Sequence, residues 1–409
     1  MKGGNTIVVL CALTVATMMK TATGRLGRGA LFIFGDSILD VGTNNHFNDS
    51  RARADHPYYG IDFPDHEATG RFSNGYNSAD LIAWYLTNDT MSPSPFLSLV
   101  NGSETNLMIE ILLVGANFAS AGSGILVDTG HEKYATLQSG RVVPLWEQIQ
   151  QFSTLCGNIT EALGSQTADI FLAKSTYIIS VGSNDFFEHQ QAIYQNETKP
   201  EDLIANLTAT YSMQLQVACF CKERSSLRGV GFAKWNLMDM ESVNLYDVGA
   251  RKFAIIGIPP LGCCPEERYI NQKQLHGGGG CVVAMNDLAQ AFHASTASLL
   301  QNFSSTNHGV FYSLGNTYNT IMSFIDNPRE NGFQVVDRAC CGNGTFNAKK
   351  KCELGSKLCV HRDEYLFWDE FHPTQAASRL AALTLVFAEG PEFVMPMNFS
   401  SLAKVSTYM

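Results

Sequence analysis

Basic side chains are scarce in this chain of 409 residues. It has 28 Lys and Arg against 38 Asp and Glu, so its formal net charge is −10. Nucleic acids and anionic membranes both attract basic surfaces, and the deficit therefore argues against either as a partner. No apolar run beyond residue 19 approaches the roughly 18 residues of a membrane-spanning helix, so we expect no stable membrane anchor.

Motifs for metals and nucleotides are also missing. The chain has no HExxH, no P-loop and no GxGxxG after a strand, so we expect neither a cofactor nor a metal. No GxSxG elbow follows a strand, which disfavours the usual α/β-hydrolase arrangement. Hydrophobic residues make up 45% of the chain, which is enough for a globular core and excludes disorder.

The N-terminus is typical of a secretory signal peptide over residues 1–24. Lys2 is positively charged, residues 7–19 form a short apolar segment, and the small residues at 21–24 provide a cleavage site. A buried N-terminal strand or helix is the alternative. Asn-x-Ser/Thr sequons favour secretion, and we expect N-glycans on a subset of them. The acceptors are Asn48, Asn88, Asn101, Asn158, Asn196, Asn206, Asn302, Asn343 and Asn398.

Cysteine usage fits an oxidising compartment. Cys11 lies in the predicted signal peptide and Cys156 stands alone, while most of the others cluster in the C-terminal half. The clustered cysteines are Cys263, Cys264, Cys281, Cys340, Cys341, Cys352 and Cys359. We expect disulfides, with a pairing that the spacing does not determine. A zinc site is the competing interpretation, but no pair has CxxC spacing and no paired histidine accompanies the cysteines.

Short apolar runs predict the strands of a parallel sheet that is buried on both faces. They are residues 31–34, 111–114, 177–181 and 253–256, each followed by glycine, with 310–312 as a fifth candidate. Helical faces lie between them, over residues 79–86, 285–299 and 376–387. This alternation predicts one doubly wound α/β domain of about five strands over residues 25–395. Its ligand site is expected outside the carboxyl ends of the strands.

Residues 217–244 interrupt what would otherwise be one helix from Tyr211 to Ala250. The segment has no clean periodicity, concentrates basic residues and adds Cys219 and Cys221. A natural surface insertion is one interpretation. Our preferred hypothesis is a translated intron that is absent from the real protein.

Residues suited to nucleophilic catalysis flank the predicted strands and helices. Ser37 comes just after the first strand, where it is either an exposed nucleophile or a helix N-cap. Asp369 and His372 are three residues apart before a helix. That spacing lets a carboxylate orient an imidazole, although a surface turn could use the same residues.

Two more turns offer donors for an oxyanion. Asn184 follows the third predicted strand, and residues 117–124 follow the second with backbone N–H groups unobstructed by side chains. A self-capping asparagine turn and a glycine turn made for packing are the alternatives. Together, a nucleophile, an acid–base pair and two sets of donors form the inventory of acyl transfer.

The same residues lie in blocks that resemble the secreted plant GDSL esterase/lipases, a family of the SGNH hydrolases. The blocks follow the family's order: residues 32–44 (FIFGDSILDVGTN), 70–75 (GRFSNG), 117–124, 181–185 (VGSND), 249–253 (GARKF), 259–263 (PPLGC) and 367–374 (FWDEFHPT). The resemblance implies a flavodoxin-like three-layer sandwich. It also implies a secreted protein located outside the cell or in the cell wall.

The resemblance further implies roles for five residues. Ser37 would be the nucleophile, His372 the base and Asp369 the residue that orients it. Gly122 and Asn184 would form the oxyanion hole with the Ser37 amide. The implied function is hydrolysis of carboxylic esters through an acyl-enzyme, on a small-molecule or polymer-borne substrate. An inactive binding module on the same fold and an acyltransferase are the alternatives, and the acyl and alcohol groups stay open.

Overall fold

The computed structural model describes residues 29–88, 91–100, 104–130, 140–216 and 244–407. The strands are β1 (Leu31–Gly35), β2 (Gly115–Asn117), β3 (Thr176–Ser180), β4 (Lys252–Ile256), β5 (Phe311–Gly315), β6 (Val335–Ala339), β7 (Cys341–Gly342), β8 (Lys357–Leu358), β9 (Tyr365–Phe367) and β10 (Val394–Met395). The helices are α1 (Ser78–Thr87), α2 (Phe96–Val100), α3 (Glu104–Leu113), α4 (Leu145–Leu163), α5 (Ser165–Lys174), α6 (Ser183–Tyr194), α7 (Pro200–Gln216), α8 (Pro265–Lys273), α9 (Val283–Thr306), α10 (Thr317–Asp326), α11 (Gln375–Phe387) and α12 (Phe399–Lys404).

The central sheet has a parallel core in the order β5-β4-β3-β1-β2, and β10 adds an antiparallel edge beside β5. The register is continuous across the middle, with Phe34 opposite Ile179 and Ile179 opposite Ile255. This is the flavodoxin-like strand order, so the predicted fold class is confirmed. The switch point, where the order changes direction, lies between β1 and β3.

Two helical layers cover the sheet. Phe32 and Phe34 of β1 lie in one core with residues of α4, α5, α7 and α9. Leu31 and Ile33 point to the opposite face, into a core with α1, α11 and α12. Because both faces are buried, the strand is apolar throughout instead of alternating.

The prediction of a strand at residues 111–114 was wrong. Those residues end α3 and its connection, and the second strand is the short β2 that follows. A continuous apolar run fits a buried helix as well as a buried strand, so periodicity could not separate the two. The other four predicted strands are present with shifted ends, and the three predicted helical faces belong to α1, α9 and α11.

Among the described residues, three disulfides link cysteines of the C-terminal half: Cys263–Cys281, Cys340–Cys359 and Cys341–Cys352. Cys156 and Cys264 take no part in these bridges, and both are buried. None of the helices in the described ranges has both the length and the apolar character needed to cross a bilayer.

The two flanks of the segment 217–244 lie next to each other. Leu245 N donates a hydrogen bond of 3.4 Å to the carbonyl of Gln214, and α7 ends at Gln216. If Leu245 followed Gln216 directly, this bond would link a residue to the third residue before it, as in the last turn of a helix. Residues 217–243 lie outside the described residues. Adjacent flanks fit a surface insertion as well as a translated intron, so the hypothesis of a translated intron stays a prediction.

We expect peptide mapping of the native protein to recover a fragment in which Gln216 is joined directly to Leu245. The junction would close without moving α7, because the two flanks are already in contact. Fragments from residues 252–273 serve as the control for sequence coverage by mass spectrometry. A fragment from within residues 217–244 would contradict the hypothesis.

Candidate active site

The turn after β1 presents Ser37 at the carboxyl edge of the sheet. Gly35 has a φ of 136°, and a Cβ there would lie 1.9 Å from the Ser180 carbonyl oxygen of β3, so only glycine fits. Asp36 N donates to the same carbonyl at 3.0 Å. Asp36 Oδ1 accepts from Ile38 N at 3.1 Å, which closes the turn. No helix begins here, so the Ser37 hydroxyl is not an N-cap.

A chain of hydrogen bonds joins Ser37 to the loop after β9. His372 Nε2 lies 2.8 Å from Ser37 Oγ. His372 Nδ1 lies 2.8 Å from both carboxylate oxygens of Asp369. Asp369 Oδ1 also accepts from the backbone N–H groups of Phe371 and His372. The structure therefore brings a carboxylate, an imidazole and a hydroxyl into the order that can move a proton away from the hydroxyl.

The GRFSNG segment secures the loop that carries His372. Arg71 pairs with Asp80 of α1 through two hydrogen bonds of 2.7 and 2.9 Å. Asn74 Oδ1 accepts from Gln375 N, the first residue of α11, at 2.8 Å. The segment thus fastens the beginning of α11 near the beginning of α1, and His372 lies just before that helix.

The loop after β9 is also held by residues 340–359, which two disulfides cross-link and which we call the disulfide-linked segment. Cys340 N donates to Phe367 O at 2.9 Å, and Cys341 N donates to Trp368 O at 2.8 Å. Trp368 is fully buried beside both disulfides of this segment, and its backbone N–H donates to the His372 carbonyl at 2.7 Å. The disulfides therefore stiffen the support of the histidine, and the alternative of a loose surface turn does not describe this loop.

Opposite charges set the pKa values of the Asp369–His372 pair. Burial opposes ionisation of Asp369, but the charge and ring hydrogen bond of His372, together with the backbone N–H groups of Phe371 and His372, lower the pKa of the carboxyl. Burial also opposes the charged imidazole, yet Asp369 raises the pKa of His372 above its usual value. Burial raises the pKa of Asp36 to about 7 and also raises the pKa of Glu370. An ionised Asp369 can thus stabilise an imidazolium beside Ser37.

Gly122 and Asn184 line the same cavity as Ser37. Asn184 is the second residue of α6, and its Nδ2 donates to Ser123 O at 2.9 Å. A side-chain amide carries two hydrogens, so this bond leaves one N–H for a ligand. Gly122 has a φ of 83°, which favours glycine.

Buried aspartates hold the loops that carry these two residues. Asp40 Oδ2 accepts from Ala121 N at 2.8 Å, directly before Gly122. Asp185, directly after Asn184, accepts from Ile125 N and Leu126 N at 2.9 and 3.0 Å. Bonds from backbone N–H to a carboxylate are strong, so the loops after β2 and β3 are fixed against each other beside Ser37.

Sequence reasoning missed Tyr59. Its hydroxyl donates to Asp369 Oδ2 at 2.7 Å across 310 residues, and the ring is almost fully buried. Phe72 was named only within its segment, and its ring lies 4.7 Å from that of His372, centroid to centroid. No periodicity marks a contact between two irregular loops. The weak signal in the sequence is an aromatic pair, Tyr58 and Tyr59, in a loop outside any predicted strand or helix.

Comparison with known proteins agrees with this geometry. The model of the GDSL-like lipase/acylhydrolase family matches residues 31–385. The chain belongs to this family. As the sequence predicted, this GDSL-family chain is a carboxylic ester hydrolase.

Relatives in Arabidopsis thaliana match over nearly their whole length. The GDSL esterase/lipase At4g28780 is 32% identical over 396 residues, which are 97% of this chain and 96% of the relative. The GDSL esterase/lipase At5g08460 is 33% identical over 381 residues, which are 92% of this chain and 88% of the relative. The match therefore covers the site and both layers of the fold.

We predict that Tyr59→Phe lowers kcat/KM for an ester by about tenfold, the effect of losing a hydrogen bond to a charged group. If Asp369 orients His372, the carboxylate without this donor attracts the imidazolium proton more strongly. The midpoint of the pH–rate profile should therefore move to higher pH. Tyr58→Phe is the matched control, because the Tyr58 hydroxyl accepts only from Gly355 N among the bonds found in the described residues. Equal profiles for the two variants would refute the role of Tyr59.

Proposed function

We propose that the chain is a secreted serine esterase in which Ser37 is the nucleophile, His372 the base and Asp369 the orienting carboxylate. The observation that carries the proposal is the pair of 2.8 Å contacts, from Ser37 Oγ to His372 Nε2 and from His372 Nδ1 to Asp369. A histidine with only a structural role would not need to lie at an exposed edge of the sheet. It would also not need a serine hydroxyl on one ring nitrogen and a carboxylate on the other.

The first half of the reaction forms an acyl-enzyme. Ser37 Oγ attacks the ester carbonyl while His372 Nε2 takes the hydroxyl proton, and the imidazolium is stabilised by Asp369. The bond from the carbonyl carbon to the alcohol oxygen then breaks, and His372 gives its proton to the departing alcohol. The acyl group is left on Ser37 Oγ.

The second half releases the acid. Water attacks the acyl-enzyme carbonyl, His372 takes a proton from that water, and Ser37 leaves with the proton restored. In both halves negative charge develops on the carbonyl oxygen. The Ser37 and Gly122 amides and the spare N–H of Asn184 are the proposed donors, and losing one of them should cost roughly 10²–10³ in rate.

We predict that Ser37→Ala reduces hydrolysis of p-nitrophenyl butyrate by about 10⁶ or to background. The hydroxyl makes no bond on which the fold depends, so the thermal unfolding midpoint should stay close to that of the unchanged protein. Ser183→Ala, which also removes a hydroxyl that lines the cavity, is the matched control and should keep its activity. Hydrolysis by a folded Ser37→Ala protein would refute the assignment.

We predict that kcat/KM rises with pH, with a midpoint above the ordinary histidine value of about 6.5. The base must be neutral, and the pKa of His372 is raised by Asp369, so activity is lost as the pH falls through that raised value. The nearby carboxyl groups of Glu370 and Asp36 also raise the pKa of His372. Asp36→Asn should therefore move the midpoint to lower pH. A flat profile between pH 5 and 8 would count against His372.

Secretion and glycosylation belong to the same proposal, with residues 1–24 as the signal peptide. Six sequon asparagines are exposed: Asn48, Asn88, Asn158, Asn196, Asn206 and Asn302. The amides of Asn343 and Asn398 instead donate to Ser356 Oγ and Ala388 O within the fold. Asn101 lies outside the described residues. Mass spectrometry of the secreted protein should find glycans on some of the six and none on Asn343, where a glycan would contradict the proposal.

A further inference from the structure

The active-site cavity, of about 280 Å³, has two unlike sides. One side, the charged mouth, is lined by Arg51, Arg53, His56, Lys351 and Glu353. The other side, the apolar arm, is lined by Ile256, Leu261, Ile321, Ala377, Ala381 and Leu385. Ser37 and His372 line the same cavity, so any group attached to the reacting carbonyl extends toward one side or the other.

The apolar arm runs along the carboxyl edge of the sheet. Ser37 follows β1, Ile256 ends β4, and Leu385 packs over Gly315, the last residue of β5. A Cβ on Gly315 would lie only 2.1 Å from Leu385 Cδ2. From β1 to β5 there are three strand spacings, about 14 Å, which an extended chain of roughly ten carbons would cover.

The face of α11 that lies toward the cavity has small residues along the middle of the arm and a large residue at its end. Ala377, Ala381 and Leu385 are four residues apart, so they lie along one face of the helix. They are 0%, 8% and 2% exposed. The two alanines leave space near the middle of the arm, and the larger Leu385 fills the end against Gly315.

We propose that the apolar arm binds a linear aliphatic acyl chain of about ten carbons or fewer, while the alcohol leaves through the charged mouth. This inference rests on the proposed function of Ser37. Each methylene buried in the arm favours binding by about fourfold. The solvated charged side chains of the mouth offer no such gain in binding. The mouth instead gives the alcohol a path to exit and water a path to enter.

The test is a panel of p-nitrophenyl esters from acetate to hexadecanoate. For the wild-type protein, kcat/KM should rise with acyl-chain length up to about ten carbons and fall beyond that. Ala381→Leu adds three carbons inside the arm. It should move the optimum to shorter chains by about three carbons and reduce decanoate hydrolysis at least tenfold, with acetate hydrolysis within about twofold.

Ala376→Leu is the matched control. Ala376 lies on the same helix and is 7% exposed against 8% for Ala381, but it does not line the cavity. It should therefore keep the unchanged chain-length profile, whatever its effect on stability. If Ala381→Leu does not fold, Ile321→Ala tests the same arm from α10 and should extend the optimum to longer chains.

A second measurement separates the arm from catalysis. Decanoate binding to the Ser37→Ala protein, followed by calorimetry, should weaken about tenfold when Ala381→Leu is added and stay unchanged with Ala376→Leu. An unchanged chain-length profile in Ala381→Leu, or unchanged decanoate affinity, would overturn the arm. The wild-type protein could hydrolyse no ester at all and still bind decanoate, with weaker binding in Ala381→Leu and unchanged binding in Ala376→Leu. In that case the proposed function fails, but the assignment of the apolar arm as an acyl-chain site holds.

Discussion

The contact between Ser37 and His372 exists only because two distant parts of the chain are fixed against each other. Ser37 lies where β1 passes so close to β3 that only glycine fits at position 35. His372 lies 335 residues later, in a loop fastened to α1, α11 and the disulfide-linked segment. Both ends are immobilised by the fold before any substrate binds. Such preorganisation lets a site stabilise developing charge without rearranging its dipoles.

Buried carboxylates perform two different tasks around this contact. Asp40 and Asp185 accept backbone N–H groups and hold the loops after β2 and β3, and burial raises the pKa of each. Asp369 is as deeply buried, but it faces an imidazole, and its pKa is lowered. The same residue type therefore serves as a loop clamp or as a charge partner, according to what lies opposite its oxygens.

Sequence reasoning reached the parts of the structure that have local signals. Ser37, Asp369 and Asn184 follow strand ends or precede a helix, and parallel strands bring such positions to one edge. Residues 111–114 were predicted as a strand because a buried helix and a buried strand share one hydrophobic pattern. The strand β10 was not predicted, because its two residues are too few to show a pattern. Tyr59 and the disulfide pairing depend on contacts between irregular loops, which no period or spacing encodes. The shape of the apolar arm likewise depends on how α10 and α11 pack over the sheet.

The central claim is that His372 activates Ser37 and no other hydroxyl. Labelling the folded protein with a fluorophosphonate and locating the adduct by peptide mass spectrometry tests it most directly. We expect one adduct, on Ser37, that forms far more slowly in His372→Ala and is absent after unfolding. An adduct on another residue, or no adduct on folded protein, would contradict it.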